Sequence, residues 1–449
     1  MNPPSTYNRW FVPVAALLIH ICIGSVYAWS TFNKPINTIL NAGADAWMKA
    51  PYITFSTALI LLGLSAAFGG PWVERNGPRK TAACAAGFFC SGLVIGAIGL
   101  STASPWLVFL GMGLVCGIGC GLGYIAPVST LVKWFPDRRG MATGFAVMGF
   151  GGGAFVAGKL NVFLIDRIGI VNGLVSLAAA YLVLMLAGAF IIRPAPTAAA
   201  KRTSESSLTR NQALSTPQFW LMWGILFINV TAGIGILEQA SPMIQEMFPV
   251  GAMHGSKGIG PAAAGAFVAL LSLFNMAGRF CWSSLSDYIG RKNVYIVFLL
   301  LGAALYCLIP LSGSTGSPVL FISVCAVIIS MYGGGFATAP AYLKDLFGTM
   351  QVGAIHGRLL TAWSAAGILG PMLVNHLRVY LLQSGAKGVA LYAPTMYLMA
   401  GLLLVGLVCN LLIHPVDARY HYKGNTPSTP RRSDDDAHLP HIPGTRLST

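Results

Sequence analysis

Apolar residues in this chain fall in long, nearly unbroken runs, and the polar and charged positions gather in the short stretches between them. Twelve such runs stand out, at 11–33, 50–72, 80–101, 104–132, 140–165, 171–193, 217–244, 260–285, 294–313, 316–343, 355–380 and 390–414. A helix rises about 1.5 Å per residue and the hydrocarbon core of a bilayer is about 30 Å thick, so roughly 20 apolar residues cross it once. Each run is predicted to be a transmembrane helix, and the fold class is an all-α membrane protein. The polar, Pro/Ser/Ala-rich segment 194–216 divides the spans six and six. It reads as a cytoplasmic linker between two six-helix units, residues 1–193 and 217–414. Residues 415–449 have the composition of a disordered tail.

Composition agrees. Of 449 residues, 55% are hydrophobic and 9% charged, with a mean hydropathy of +0.68; a soluble domain carries about 25% charged residues. The nine cysteines lie in the apolar runs without a Cys-x-x-Cys pair or metal-ligand spacing. They read as small core residues, and neither a metal nor a cofactor is expected. The start, MNPPSTYNRW, leads directly into the first run and shows no small-residue cleavage site, so a cleaved signal peptide is not expected.

The net charge of +15 suggests a nucleic-acid partner until the charges are placed. Of 28 Lys and Arg, 20 fall on the termini, loops and helix ends of one face, seven on those of the other face, and the remaining one is Arg279. The basic excess is therefore mostly membrane topology, with both termini cytoplasmic. No nucleic acid is expected; the lipid bilayer is the large partner.

Arg279 is the only charged residue between Lys257 and Asp287. It lies about 12 Å along a helix from Asp287. At that depth a guanidinium costs at least roughly 2.5–3.5 kcal/mol unless water, protein groups or an anion solvate it. The default reading is an intramembrane anion site; the alternative is a structural arginine bridging helix carbonyls.

The two halves repeat. Between spans 2 and 3 stand Glu74 and Gly77; between spans 8 and 9 stand Asp287 and Gly290. The interval from Glu74 to Asp287 equals that from Gly77 to Gly290. The same interval carries Gly140 and Gly144, after span 4, onto Gly353 and Gly357, after span 10. One offset serving two separate loops indicates parallel six-helix repeats. Glu74 with Arg75, and Asp287 with Arg291, sit at tight glycine turns where they can brace one conformation and release it in another. Asp137 and Arg138 join them as gating candidates. The bland alternative is ordinary basic loops obeying the charge rule. Glycines crowd spans 4, 5 and 10, which lets helices approach closely and slide.

These paired loops resemble the major facilitator superfamily. The loop Lys133-Trp134-Phe135-Pro136-Asp137-Arg138-Arg139-Gly140 is similar, more specifically, to the oxalate/formate antiporter family and, more distantly, to the monocarboxylate transporters. Arg9-Trp10-Phe11, the stretch from Gly24 to Ser30, and Thr216-Pro217-Gln218-Phe219-Trp220 fit the same family. The likeness covers nearly all of 9–414. It implies two pseudo-symmetric bundles, alternating access and one chain as the transport unit, set in a plasma membrane, the inner one of a bacterium.

The resemblance also implies a site. Arg279 matches a substrate-holding arginine of the eighth span, four residues after Asn275. Tyr27, Trp29, Tyr124, Tyr332 and Phe336 fall where the family lines its cavity with rings. A planar guanidinium can hold a carboxylate through two parallel bonds, and tyrosine hydroxyls can donate to it. The chain departs from the family at Trp363, where its best-known member has a lysine. With one buried cation, a monocarboxylate is favoured over oxalate, with Trp363 as a wall. Arg358, about 7.5 Å nearer the cytoplasm, is either a second cation or a positive-inside residue. Monocarboxylate transporters carry an aspartate where this chain has Asn275, so proton coupling there is disfavoured. Glu238 and His356 remain as coupling candidates, with His20 a weaker one.

The expected function is a secondary transporter of small organic anions, most of all monocarboxylates. A proton-coupled monocarboxylate symporter is the alternative, and a transport-dead carboxylate sensor is the alternative of another class. An enzyme is not expected, because the spans hold no paired carboxylates, metal cluster or nucleophile motif.

Overall fold

The computed structural model describes residues 7–40, 51–196, 207–249, 258–417 and 420. The predicted tail therefore lies almost wholly outside the described residues, as does 197–206 of the linker. Among the described residues, eleven helices are long and apolar enough to cross a membrane. One of them, Arg139–Ile191, is two spans, because at Gly169 the backbone leaves helical geometry with φ 78°. The predicted join between 165 and 171 falls there, and the spans number twelve. Gly77 (φ 81°) and Gly290 (φ 86°) separate spans 2 from 3 and 8 from 9 in the same conformation, which a residue with a Cβ adopts only under strain.

The helix starts follow local chemistry. Pro78, Pro105, Pro217 and Pro318 occupy the first turns of spans 3, 4, 7 and 10, where a missing N–H costs nothing. The Thr216 hydroxyl accepts from the Phe219 N–H at 3.4 Å and caps span 7. The linker ends in an unforeseen short helix, Arg210–Leu214, with a capping box between Thr209 and Gln212. The Leu208 N–H donates to the Phe347 carbonyl at 2.9 Å, docking the linker on the end of span 10.

Among the described residues, three spans are interrupted. Span 1 runs as Phe11–Gly24, a tight turn Ser25–Ala28, and Ser30–Leu40, so it is longer than predicted. Span 4 widens into a π turn at Phe109–Val115. Span 11 breaks between Val352–Leu359 and Thr361–Gln383. The breaks in spans 1 and 11 fall beside Tyr27 and Trp363.

The six-helix bundles meet where span 5 packs on span 8 and span 2 on span 11. Glycines make this seam. A methyl group on Gly144 would strike the Arg279 carbonyl, and one on Gly357 the Ala66 carbonyl. The two pairs are repeat-equivalent: the offset that carries Gly144 onto Gly357 also carries Ala66 onto Arg279. The sequence repeat is thus a repeat of packing.

Candidate functional site

The linker marks one face of the molecule, and there the bundles clasp each other twice. Asp287 accepts hydrogen bonds from the Gly140 and Met141 N–H groups, at 2.9 and 2.8 Å. Glu74 accepts from the Gly353 N–H at 3.1 Å. Each acid caps the first turn of a helix in the opposite bundle, where unpaired N–H groups and the helix dipole favour negative charge. Lys133 pairs with Glu74, and Arg291 with Asp287. On the Asp287 side, Asp345 also meets Arg139 of the other bundle at 3.2 Å and Arg291 at 3.3 Å.

Glu74, Gly77, Asp287, Gly290 and Arg291 therefore sit in one pseudo-symmetric device. Arg75 and Arg138 are exposed beside it. Asp137 lies elsewhere: it holds Arg9 of its own bundle through two bonds of 3.1 Å. Partial burial pushes the Asp137 carboxyl up, but hydrogen bonds from its own backbone and from Arg9, with the Arg9 charge, outweigh that and hold it below the usual value. Lys133 and Arg139 stood in the sequence only as parts of the family-like loop motif, and nothing there distinguished Asp345.

Below the clasps lies a cluster of buried rings around Arg279, which is fully buried. Its Nε donates to Asn275 Oδ1 at 3.0 Å, one helical turn away. That bond fixes the plane of the fork. Among the described residues, neither Nη group has a hydrogen-bond partner. The guanidinium carbon stands 5.3 Å from the Phe336 ring centre and 5.7 Å from that of Phe150, within cation–π range. Phe336 packs edge-on against Trp363 at 4.6 Å and Tyr124 at 5.6 Å. Tyr27 packs on Phe150 at 5.0 Å and on Trp363 at 6.1 Å. Its hydroxyl lies 3.3 Å from that of Tyr332, across the two bundles.

All the substrate-site candidates except Trp29 are thereby joined in one cluster with Arg279. Trp29 is apart, with its ring contacts on Phe32 and Phe55. Phe150 was missed, although the repeat pointed to it: the offset carries Phe150 onto Trp363, and the two rings pack edge-on at 5.6 Å.

Among the coupling candidates, His356 is buried deeper than a mouth residue, its ring 5.8 Å from Tyr124. His20 approaches the same tyrosine at 5.4 Å. Arg358 points elsewhere, over the Phe68 ring of span 2 at 5.0 Å. The Glu238 side chain lies outside the described residues.

This arrangement offers one fixed cation, two free guanidinium donors, the unpartnered Tyr124 hydroxyl and Trp363 Nε1, and ring edges of positive partial charge. It suits one small anion with an apolar or planar body.

The family model described as Major Facilitator Superfamily matches residues 15–371 and, a second time, 243–433. The chain is 29% identical over 383 residues to an oxalate:formate antiporter of Oxalobacter formigenes, covering 82% of this chain and 87% of the relative. It is 26% identical to the uncharacterized MFS-type transporter YhjX of Escherichia coli (81% and 88% covered) and 22% identical to apicoplast pyruvate carrier 1 of Toxoplasma gondii (90% and 89%). Among solved structures, the proton:xylose symporter XylE superposes with a TM-score of 0.70 at 15% identity, covering 90% of this chain and 95% of that one.

Proposed function

The chain belongs to the major facilitator superfamily, and from that premise we propose that it carries small organic anions, monocarboxylates foremost, by alternating access. Arg279 is the residue that holds the carboxylate. The observation that carries this reading is the buried guanidinium fork, oriented by Asn275 and left with two free Nη groups. A carboxylate accepts both in parallel. The rings of Phe150, Phe336 and Trp363 wall the anion, and the hydroxyls of Tyr27, Tyr124 and Tyr332 supply further donors. Two relatives are named for oxalate with formate and for pyruvate, all small carboxylates.

Transport needs the site to open to each side in turn. The Glu74 and Asp287 clasps bind only when the linker face is closed, and the glycine seam lets spans 5 and 8, and 2 and 11, part without losing side-chain packing. The linker face is cytoplasmic in this reading, by the 20-to-7 split of basic residues. One chain is the transport unit, because the cluster is assembled within it.

Exchange of one anion for another suits a site whose arginine is oriented by a neutral Asn275. One observation favours a second reading, proton-coupled symport: the imidazoles of His20 and His356 flank Tyr124 on two sides. Counterflow in proteoliposomes, with formate, lactate, pyruvate and oxalate at two pH values, tests both. Exchange of monocarboxylates without a pH gradient is the expected result. Absence of flux with all four sinks the substrate class, and flux that requires a proton gradient selects the symporter.

A further inference from the structure

The two clasps on the linker face are filled unequally. On one side, Arg139 and Arg291 converge on Asp345. The repeat offset pairs Asp345 with Val132, so the Glu74 side has no matching carboxylate. A cavity of about 180 Å³ lies there, lined by Pro71, Glu74, Arg75, Arg210, Gln351 and Ala354. That is more than ten times the roughly 10–15 Å³ that seats one water. Its walls come from three parts of the chain: the end of span 2, the start of span 11, and the linker helix.

The cavity is cationic. Its one acid, Glu74, is occupied by Lys133 and the Gly353 N–H. Among the described residues, no carboxylate lies within ion-pair distance of Arg75, Arg210 or the nearby Arg358. Arg210 is held in place: its backbone N–H donates to Gln351 Oε1 at 2.7 Å and its Nε to Asn211 Oδ1 at 3.1 Å.

The surroundings extend this toward the membrane. Gln351, Ala354 and Arg358 follow one another on one face of span 11, and Phe68, Pro71 and Arg75 on one face of span 2. Arg358 lies over the ring of Phe68, a residue 68% exposed. The cavity with Arg75 and Arg210 thus adjoins an exposed apolar surface that carries a third arginine, Arg358. The phosphate ester of an acylated glycerol has that profile, and guanidinium groups bind phosphate oxygens in pairs.

We propose that this cavity binds a phosphate group, free or as the headgroup of an anionic lipid, and that the bound phosphate ties both bundles and the linker together. It supplies on the Glu74 side the negative charge that Asp345 supplies on the other. A ligand that bridges the clasp binds only the arrangement closed at the linker face, so it raises the population of that arrangement. This holds whichever anion is the transported substrate.

The test uses the full chain. Purified protein is titrated with inorganic phosphate, against chloride at equal ionic strength, and its thermal midpoint is followed. In parallel it is reconstituted in phosphatidylcholine with and without phosphatidylglycerol. Stabilisation by either, weakened roughly 100-fold in affinity in the Arg75→Gln/Arg210→Gln variant, at about tenfold per charge-assisted arginine bond, is the expected result. A gain with phosphatidylglycerol alone marks a lipid site, and a gain with inorganic phosphate as well marks a free-anion site. No gain in either arm, or an equal gain in the double variant, overturns the proposal. Should the variant fail to insert, native mass spectrometry of the wild type decides: retention of phosphatidylglycerol no greater than of phosphatidylcholine, with no bound phosphate, also overturns it.

Discussion

Replacing Asp287 by Asn tests the clasp with minimal change of shape. The carboxylate accepts two N–H groups of the span 5 N-terminus, at 2.9 and 2.8 Å. The amide keeps one acceptor oxygen and turns an NH2 toward the other N–H. One hydrogen bond to a charged group is lost, worth about 1.5–3 kcal/mol. In the proposed cycle these bonds exist only while the linker face is closed, so the whole loss falls on that arrangement. At about 1.4 kcal/mol per factor of ten, the closed-to-open ratio should drop roughly 10- to 150-fold. Spin labels at exposed Arg138 and Tyr288, on a chain lacking the exposed Cys84, Cys281 and Cys307, flank the clasp and report its opening as a longer distance. Glu74→Gln should act in the same direction at the other clasp. The two effects should nearly add, since the acids share no partner. A distance distribution for Asp287→Asn that superimposes on the wild type would refute the reasoning.

Four further outcomes are expected. Arg279→Lys removes the fork while keeping the charge and should weaken carboxylate uptake roughly 10- to 150-fold, by the same hydrogen-bond magnitude; near-normal transport would move the site elsewhere. Trp363→Lys should shift counterflow toward dicarboxylates, because a second cation then shares the site with Arg279; an unchanged substrate profile refutes that account of the position. Asn275→Asp places an anion on the Arg279 fork in competition with substrate, so uptake should fall at neutral pH and partly return in acid, where the new carboxyl is protonated; pH-independent uptake contradicts it. Gly144→Ala drives a methyl group into the Arg279 carbonyl and Ser283, and overpacking of this kind costs about 1–3 kcal/mol; the spin labels should part and the thermal midpoint should fall, and neither change means the seam has room for a methyl group.

The gate shows how far spacing alone reaches. The repeat offset announced that Glu74 and Asp287 are equivalent, and in the structure both acids accept backbone N–H groups across the seam. It did not announce their partners. That each acid caps a helix of the other bundle is a contact between residues 279 or 147 positions apart, and no local pattern encodes such a pair. Asp137 and Asp345 make the same point in opposite senses. Both sit among basic residues at the linker-face ends of the spans, yet Asp137 holds Arg9 within one bundle and Asp345 bridges two.

What the sequence alone determined is what depends on local energetics. The length and polarity of each run set the twelve spans, because an unpaired backbone or an unpaired charge is costly in hydrocarbon. Glycines between runs set the turns, and a charge isolated from Lys257 to Asp287 singled out Arg279. Tertiary structure alone decided direction and company. It turned Arg358 out over Phe68, drew His356 in to Tyr124, stacked Trp29 on Phe55 and set Phe150 opposite Trp363. In a membrane helix nearly every face is apolar, so the hydrophobic pattern that says a segment crosses does not say which side faces the partner bundle. Close packing at the glycine seam settles that, and it exists only once the two bundles have met.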